Sequence, residues 1–224
     1  MSKKNTFFLF LIFVSFSTCA QKLPKGFVYL YQVDPSIQTE LRYITNNNFI
    51  GKPIEGYHKN CLIVTTKTAN ALKKVQSILV KKKLSLKIFD GYRPQEAVNH
   101  FVRWARVLND TLMKSQYYPK VPKRELFKRG YIASKSGHTR GSTVDVTIVN
   151  TNTGKELDMG SPYDFFGEIS HPFHKNLTSI QKENRLLLRK IMLENGFRPY
   201  SKEWWHFTLR NEPFPKTYFN FPIE

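Results

Sequence analysis

Two separated segments of this chain carry the residue types of a metal site. They are Ser136-Gly-His138-Thr-Arg-Gly141-Ser-Thr-Val-Asp145, and Glu203-Trp-Trp-His206 near the C-terminus. Two imidazoles and one carboxylate can hold a zinc ion and leave a fourth position open for water. Glu203 stands three residues before His206, and a carboxylate beside that water is what a zinc hydrolase uses as general base. A fold that serves this chemistry has to bring the two segments together.

Local sequence shapes each half. A spacing of seven would put His138 and Asp145 on one face of a helix, but Gly137, Gly141 and the β-branched residues after Ser142 argue against a helix. His138 is therefore expected on a loop or strand end, with the chain folding back at Gly141. Asp145 then points into a cleft from the following strand, 144–149, whose valines and Ile148 face one side while Asp145 and Thr147 face the other. A charged Asp in an apolar strand is costly unless it is paired or metal-bound. The aromatic run over 204–209 also favours a strand. Residues three apart in a strand face opposite sides, so Glu203 is expected at the turn into the strand or beside a bulge. Taken singly, each residue is more readily structural: a hydrogen-bonded His138 or Asp145, or a His206 satisfied among aromatics. Only the combination favours a metal. In the rival pair His171-Pro-Phe-His174, Pro172 breaks the helical spacing and no acid lies at a useful offset; His58 and His100 carry no signal.

The remaining chain reads as one α+β domain. Residues 1–20 have a basic start, a short apolar core and a small-residue end, the layout of a signal peptide. Cleavage after Ala20 would leave residues 21–224 as the domain, exported to the periplasm or cell envelope. Lipid attachment at Cys19 is the rival reading, and the only one that places the protein on a membrane. The two cysteines, Cys19 and Cys61, are too few for a disulfide framework. Removing residues 1–20 takes away two lysines and no acid, lowering the net charge from +18 to +16. Export argues against nucleic acid, leaving anionic envelope polymers or plain solubility as the meaning of that charge. Short extended pieces are expected early, such as 27–31, followed by helices over 68–80, from Pro94 onward and over 179–194, and a strand over 84–88. Helices mixed with strands, without regular βαβ repetition, imply helices packed on a central antiparallel sheet.

The pattern Ser-x-His-x-Arg-Gly-Ser-x-x-Asp, then Asp158-Met-Gly-Ser-Pro-Tyr-Asp164-x-Phe166, then Glu-Trp-Trp-His-Phe resembles the D-alanyl-D-alanine dipeptidases of the vancomycin-resistance type. These are zinc peptidases with the hedgehog/D,D-peptidase fold, and the resemblance runs from about Tyr43 to Phe207. It implies one zinc per chain, with His138, Asp145 and His206 as ligands and Glu203 as catalytic base. It implies that Arg93, in Asp90-Gly-Tyr-Arg-Pro94, stabilises the developing oxyanion, where sequence alone reads a surface turn. Ser136, Asp164 and Tyr43 are implied as substrate-gripping residues, Asp164 pairing with the ammonium of a small D,D-dipeptide; alone, Asp164 and Asp158 read as turn chemistry. Thr143 departs from the family, which usually has a small residue there, and could crowd the strand or narrow the pocket. Two alternatives stand beside dipeptide hydrolysis: a peptidoglycan D,D-carboxypeptidase or endopeptidase on the same scaffold, and a zinc-containing binding module without catalysis.

Overall fold

The computed structural model describes residues 22–224. The signal-peptide reading of residues 1–20 and the lipid-attachment reading of Cys19 lie outside the described residues. In chain order the elements are β1 (Phe27–Tyr29), α1 (Leu30–Val33), β2 (Gln38–Thr39), β3 (Ile63–Thr65), α2 (Thr66–Val80), β4 (Leu84–Asp90), α3 (Gln95–Arg106), α4 (Lys114–Tyr117), β5 (Thr143–Asn150), α5 (Ser179–Glu194), β6 (Phe197–Pro199) and β7 (His206–Leu209).

Each long helix starts where local chemistry permits. The Thr65 side chain caps α2 by accepting from the Thr68 amide, and Ala69, Leu72, Val75 and Leu79 form its buried stripe. Pro94 stands immediately before α3, which buries Ala97, Phe101, Trp104 and Ala105. A capping box of Thr178 and Gln181 opens α5. The chain leaves α5 at Asn195 and Gly196, and φ of +90° at Gly196 suits glycine there.

The main sheet has the order β2-β4-β5-β7-β6. It is antiparallel except at one edge, where β2 pairs parallel with β4 over two residues. β5 is its central strand. Seven of its eight residues are buried, so the expected alternation of apolar and polar residues marks two covered faces; Thr147 is as inaccessible as the valines. A second, two-stranded sheet joins β1 and β3. The extended piece expected over 27–31 stops at Tyr29, because the chain turns helical at Leu30 and closes with a bond from the Asp34 amide to the Leu30 carbonyl.

Topology places the ends of three strands side by side. Asp145 pairs with Asp90 on β4 and with His206 on β7, and the β4–β5 register shifts between Ile88 and Asp90. That irregularity re-aims the end of β4. One row of the sheet therefore ends in two carboxylates and an imidazole from three distant parts of the chain.

Candidate metal centre

His138 begins a 3-10 turn, His138–Arg140, immediately before β5. Gly141 ends the turn with φ of +77°, and a Cβ there would lie 2.2 Å from a Phe27 ring carbon. Both the left-handed backbone and the close approach call for glycine. Arg140 fastens the turn to the C-terminal segment through paired bonds to Glu212 at 2.7 and 2.9 Å.

The His138 ring is held by its Nδ1, 2.8 Å from the Gly91 carbonyl. A carbonyl only accepts, so Nδ1 carries the hydrogen and Nε2 presents its lone pair to the site. Burial favours the neutral ring by pulling its pKa down. That Nε2 lies 3.3 Å from Asp145 Oδ2 and 3.3 Å from His206 Nδ1. His206 Nδ1 lies 3.1 Å from Asp145 Oδ1. The ligand atoms of the three residues all lie within 4.8 Å of one another. Asp145 Oδ1 is nevertheless buried without an aligned hydrogen-bond donor among the described residues. A buried anionic oxygen left in that state is strongly unfavourable unless a cation meets it. Burial works against ionisation of Asp145, but the two histidines outweigh it and hold the carboxyl below its usual range. Two imidazole nitrogens and a carboxylate oxygen converging on one point fit a zinc ion.

Glu203 lies at the turn into β7, as the alternation of a strand requires. The strand begins at His206, later than the sequence suggests, because Trp204 and Trp205 form the turn itself. Both indoles are buried. Trp204 is pinned by bonds from its amide to the Ser170 carbonyl and from its Nε1 to Ser161 Oγ, each 3.0 Å. With its neighbours fixed this way, Glu203 sits at the pocket, its Oε2 3.4 Å from His206 Nδ1. Burial pushes the Glu203 carboxyl up to about 7, with His206 opposing and Asp145 reinforcing the shift. A bound cation beside it would favour the ionised form.

Arg93 follows β4 and is mostly buried. Its Nη2 lies 2.8 Å from Asp90 Oδ2 and 3.6 Å from Asp145 Oδ2. Its guanidinium stands over the rings of Tyr43 and Phe101, 5.3 and 5.2 Å from their centroids. This is a held, desolvated cation, and the surface-turn reading of Arg93 is wrong. Asp90 is the partner of Arg93 that the sequence did not reveal. It takes Arg93 on one oxygen and the Tyr57 hydroxyl, at 2.7 Å, on the other. Its signal was faint: an Asp closing a strand before a glycine reads as a turn.

Asp164 lies in the loop between β5 and α5, with φ of 62°. A left-handed backbone at a non-glycine residue costs of order 1–2 kcal/mol, and the surrounding loop maintains it. Tyr43 Oη donates to Asp164 Oδ2 at 2.8 Å. Burial, with Asp145 nearby, raises the Asp164 carboxyl well above the usual range despite that bond. The hydroxyl of Ser136 accepts from the His138 amide at 3.2 Å, leaving its hydrogen free for a ligand. All eight residues singled out from sequence (Tyr43, Arg93, Ser136, His138, Asp145, Asp164, Glu203 and His206) line one cavity of about 270 Å³. Tyr131, Tyr200 and Phe49 also line it and carried no sequence signal.

The rival histidines lie elsewhere. Neither His171 nor His174 lines this cavity, and the His171 carbonyl accepts from Arg185 at 2.7 Å. Thr143 does not narrow the cavity either. Its Oγ1 pairs with Thr208 Oγ1 at 2.9 Å across β5 and β7. A Cβ at Gly137 would come within 2.6 Å of that Oγ1, so the extra bulk of Thr143 is taken up against Gly137 and β7.

Comparison with known proteins supplies the context. A family model described as D-Ala-D-Ala dipeptidase matches residues 24–224. A D-alanyl-D-alanine dipeptidase of Enterococcus faecalis is 42% identical over 201 residues, covering 90% of this chain and 100% of that protein. One from Streptomyces coelicolor is 40% identical over 197 residues, covering 88% of this chain and 98% of that protein. Among solved structures, VanYB in complex with D-alanine-D-alanine gives a TM-score of 0.41 at 14% identity, over 69% of this chain and 76% of that one.

Proposed function

The chain belongs to the D-Ala-D-Ala dipeptidase family of peptidases, and from that membership we propose that it hydrolyses free D-Ala-D-Ala with a zinc ion held by His138, Asp145 and His206. The observation that carries the proposal is the convergence of two imidazole nitrogens on the buried Asp145 carboxylate, whose Oδ1 has no aligned hydrogen bond among the described residues.

When bound, zinc polarises the scissile carbonyl and makes water a stronger acid. The remaining roles belong to the chain. Glu203 accepts the proton of the attacking water and delivers it to the leaving amine. Its partly buried carboxylate, 3.4 Å from His206 Nδ1, stands close enough for that exchange without being counted among the three ligands. Arg93 offers its guanidinium to the oxyanion as charge develops. Because Asp90 and two aromatic rings hold it in place, little reorganisation is needed at that moment. Asp164, with Tyr43 donating to it, holds the ammonium end of the substrate, and Ser136 donates its hydroxyl hydrogen to the dipeptide. Selection for a free amine distinguishes a dipeptidase from an enzyme acting on long peptides.

The test is release of D-alanine from D-Ala-D-Ala by the zinc-loaded protein, with the L,L dipeptide run beside it. Two D-alanines per dipeptide consumed are expected. Absence of D-alanine release from protein carrying stoichiometric zinc would overturn the proposal.

A further inference from the structure

Tyr163 has no part in the mechanism above, yet its hydroxyl lies between the Asp145 carboxylate and the Tyr43 hydroxyl. The residue is 2% exposed. Its ring stacks on Phe89, with centroids 4.5 Å apart and planes 7° apart, and meets Trp205 edge-on at 5.6 Å. Packed on both sides, the ring fixes where the hydroxyl stands. That hydroxyl lies 3.3 Å from Asp145 Oδ2 and 3.1 Å from the Tyr43 oxygen. Tyr43 in turn gives its own hydrogen to Asp164 Oδ2 at 2.8 Å.

Resting on the zinc dipeptidase reading, we propose that the Tyr163 hydroxyl is a positioning group shared between the metal-binding carboxylate of Asp145 and the ammonium-binding pair of Tyr43 and Asp164. The hydrogen count supports sharing. A phenol has one hydrogen, and an ionised carboxylate only accepts. The Tyr43 oxygen, whose hydrogen goes to Asp164, still has a lone pair to accept with. The Tyr163 hydrogen can therefore serve Asp145 Oδ2 or Tyr43, and both acceptors are within reach of one fixed oxygen. Directed at Asp145, it orients Oδ2 and leaves Oδ1 facing His206. Directed at Tyr43, it polarises the Tyr43 hydroxyl and strengthens its bond to Asp164. The next residue, Asp164, has the left-handed backbone, so the stacking that fixes Tyr163 also fixes the chain that delivers Asp164 to the pocket.

Tyr163→Phe keeps the stacked ring and removes only the hydroxyl. Two quantities would be read on purified wild-type and variant protein: zinc affinity by competition with a fluorescent chelator, and kcat and KM for D-Ala-D-Ala at saturating zinc. Loss of a hydrogen bond to a metal ligand typically weakens binding about 10–100-fold, so the variant is expected to bind zinc at least about tenfold more weakly. KM is expected to rise several-fold, with kcat held closer to the wild-type value. A merely structural tyrosine would lower Tm and leave both quantities alone. Unchanged zinc affinity, or unchanged KM, in a variant that folds as the wild type does would overturn the sharing. Wild-type protein that binds no zinc would instead remove the reading on which the inference rests.

Discussion

Glu203→Gln is expected to retain zinc and lose about 10²–10⁴-fold in kcat, the usual cost of removing a general base. The substitution keeps the shape of the side chain and one acceptor oxygen, and removes its ability to take a proton. Retention of zinc follows from position. The three converging ligand atoms belong to His138, Asp145 and His206, while Glu203 approaches from the turn before β7. Loss in kcat rather than KM follows from timing, because the proton moves in the transition state and not on binding. At 1.36 kcal/mol per power of ten, the expected loss is about 3–5 kcal/mol of transition-state stabilisation. Kinetics with metal analysis on the same preparation check this. A variant that loses zinc would make Glu203 a ligand, and one with near-normal kcat would take it out of the mechanism.

N-acetyl-D-Ala-D-Ala is expected to be a far poorer substrate than D-Ala-D-Ala. Asp164 is buried, and its like-charged neighbour Asp145 and its own desolvation oppose ionisation. An arriving ammonium supplies the cation that the carboxylate lacks. Capping the amine removes that cation and forces a neutral amide against the acid. A capped substrate forfeits that buried ion pair, and breaking such a pair costs about 3–5 kcal/mol, so kcat/KM should fall by roughly two to four powers of ten. Asp164→Asn should damage hydrolysis of the free dipeptide and leave the capped one nearly as it was, narrowing the gap from one side. Competitive kinetics on both substrates with both proteins check this. Equal rates on free and capped dipeptides would point to a D,D-carboxypeptidase acting on peptidoglycan stem peptides.

The candidate metal site was legible in the sequence because its chemistry lies in residue types at fixed offsets. His138, a glycine turn and Asp145 on a β-branched run describe their own local geometry, and Gly141 takes the left-handed conformation that the turn requires. Glu203 at the entrance to a strand was also forced, since residues 203 and 206 of one strand cannot share a face. The environment of those residues was not legible. Asp90, Asp145 and His206 become neighbours only through the pairing of β4, β5 and β7, and nothing near Asp90 in the chain announces that pairing. Tyr57 and Tyr163 reach these carboxylates the same way, through contacts with residues 33 and 18 positions distant. Sequence patterns also set β7 two residues too early. The pair of tryptophans reads as strand by composition, but the bonds of Trp204 to Ser170 and Ser161 hold this segment in a turn.

The central claim is that hydrolysis of D-Ala-D-Ala depends on a zinc ion held by His138, Asp145 and His206. It is tested most directly by stripping the protein with a chelator and titrating zinc back while D-alanine release and bound metal are measured on the same sample. Activity should be lost on stripping and return in proportion to bound zinc, saturating at one ion per chain; Asp145→Ala should recover neither. Full activity in protein shown to contain no metal would contradict the account.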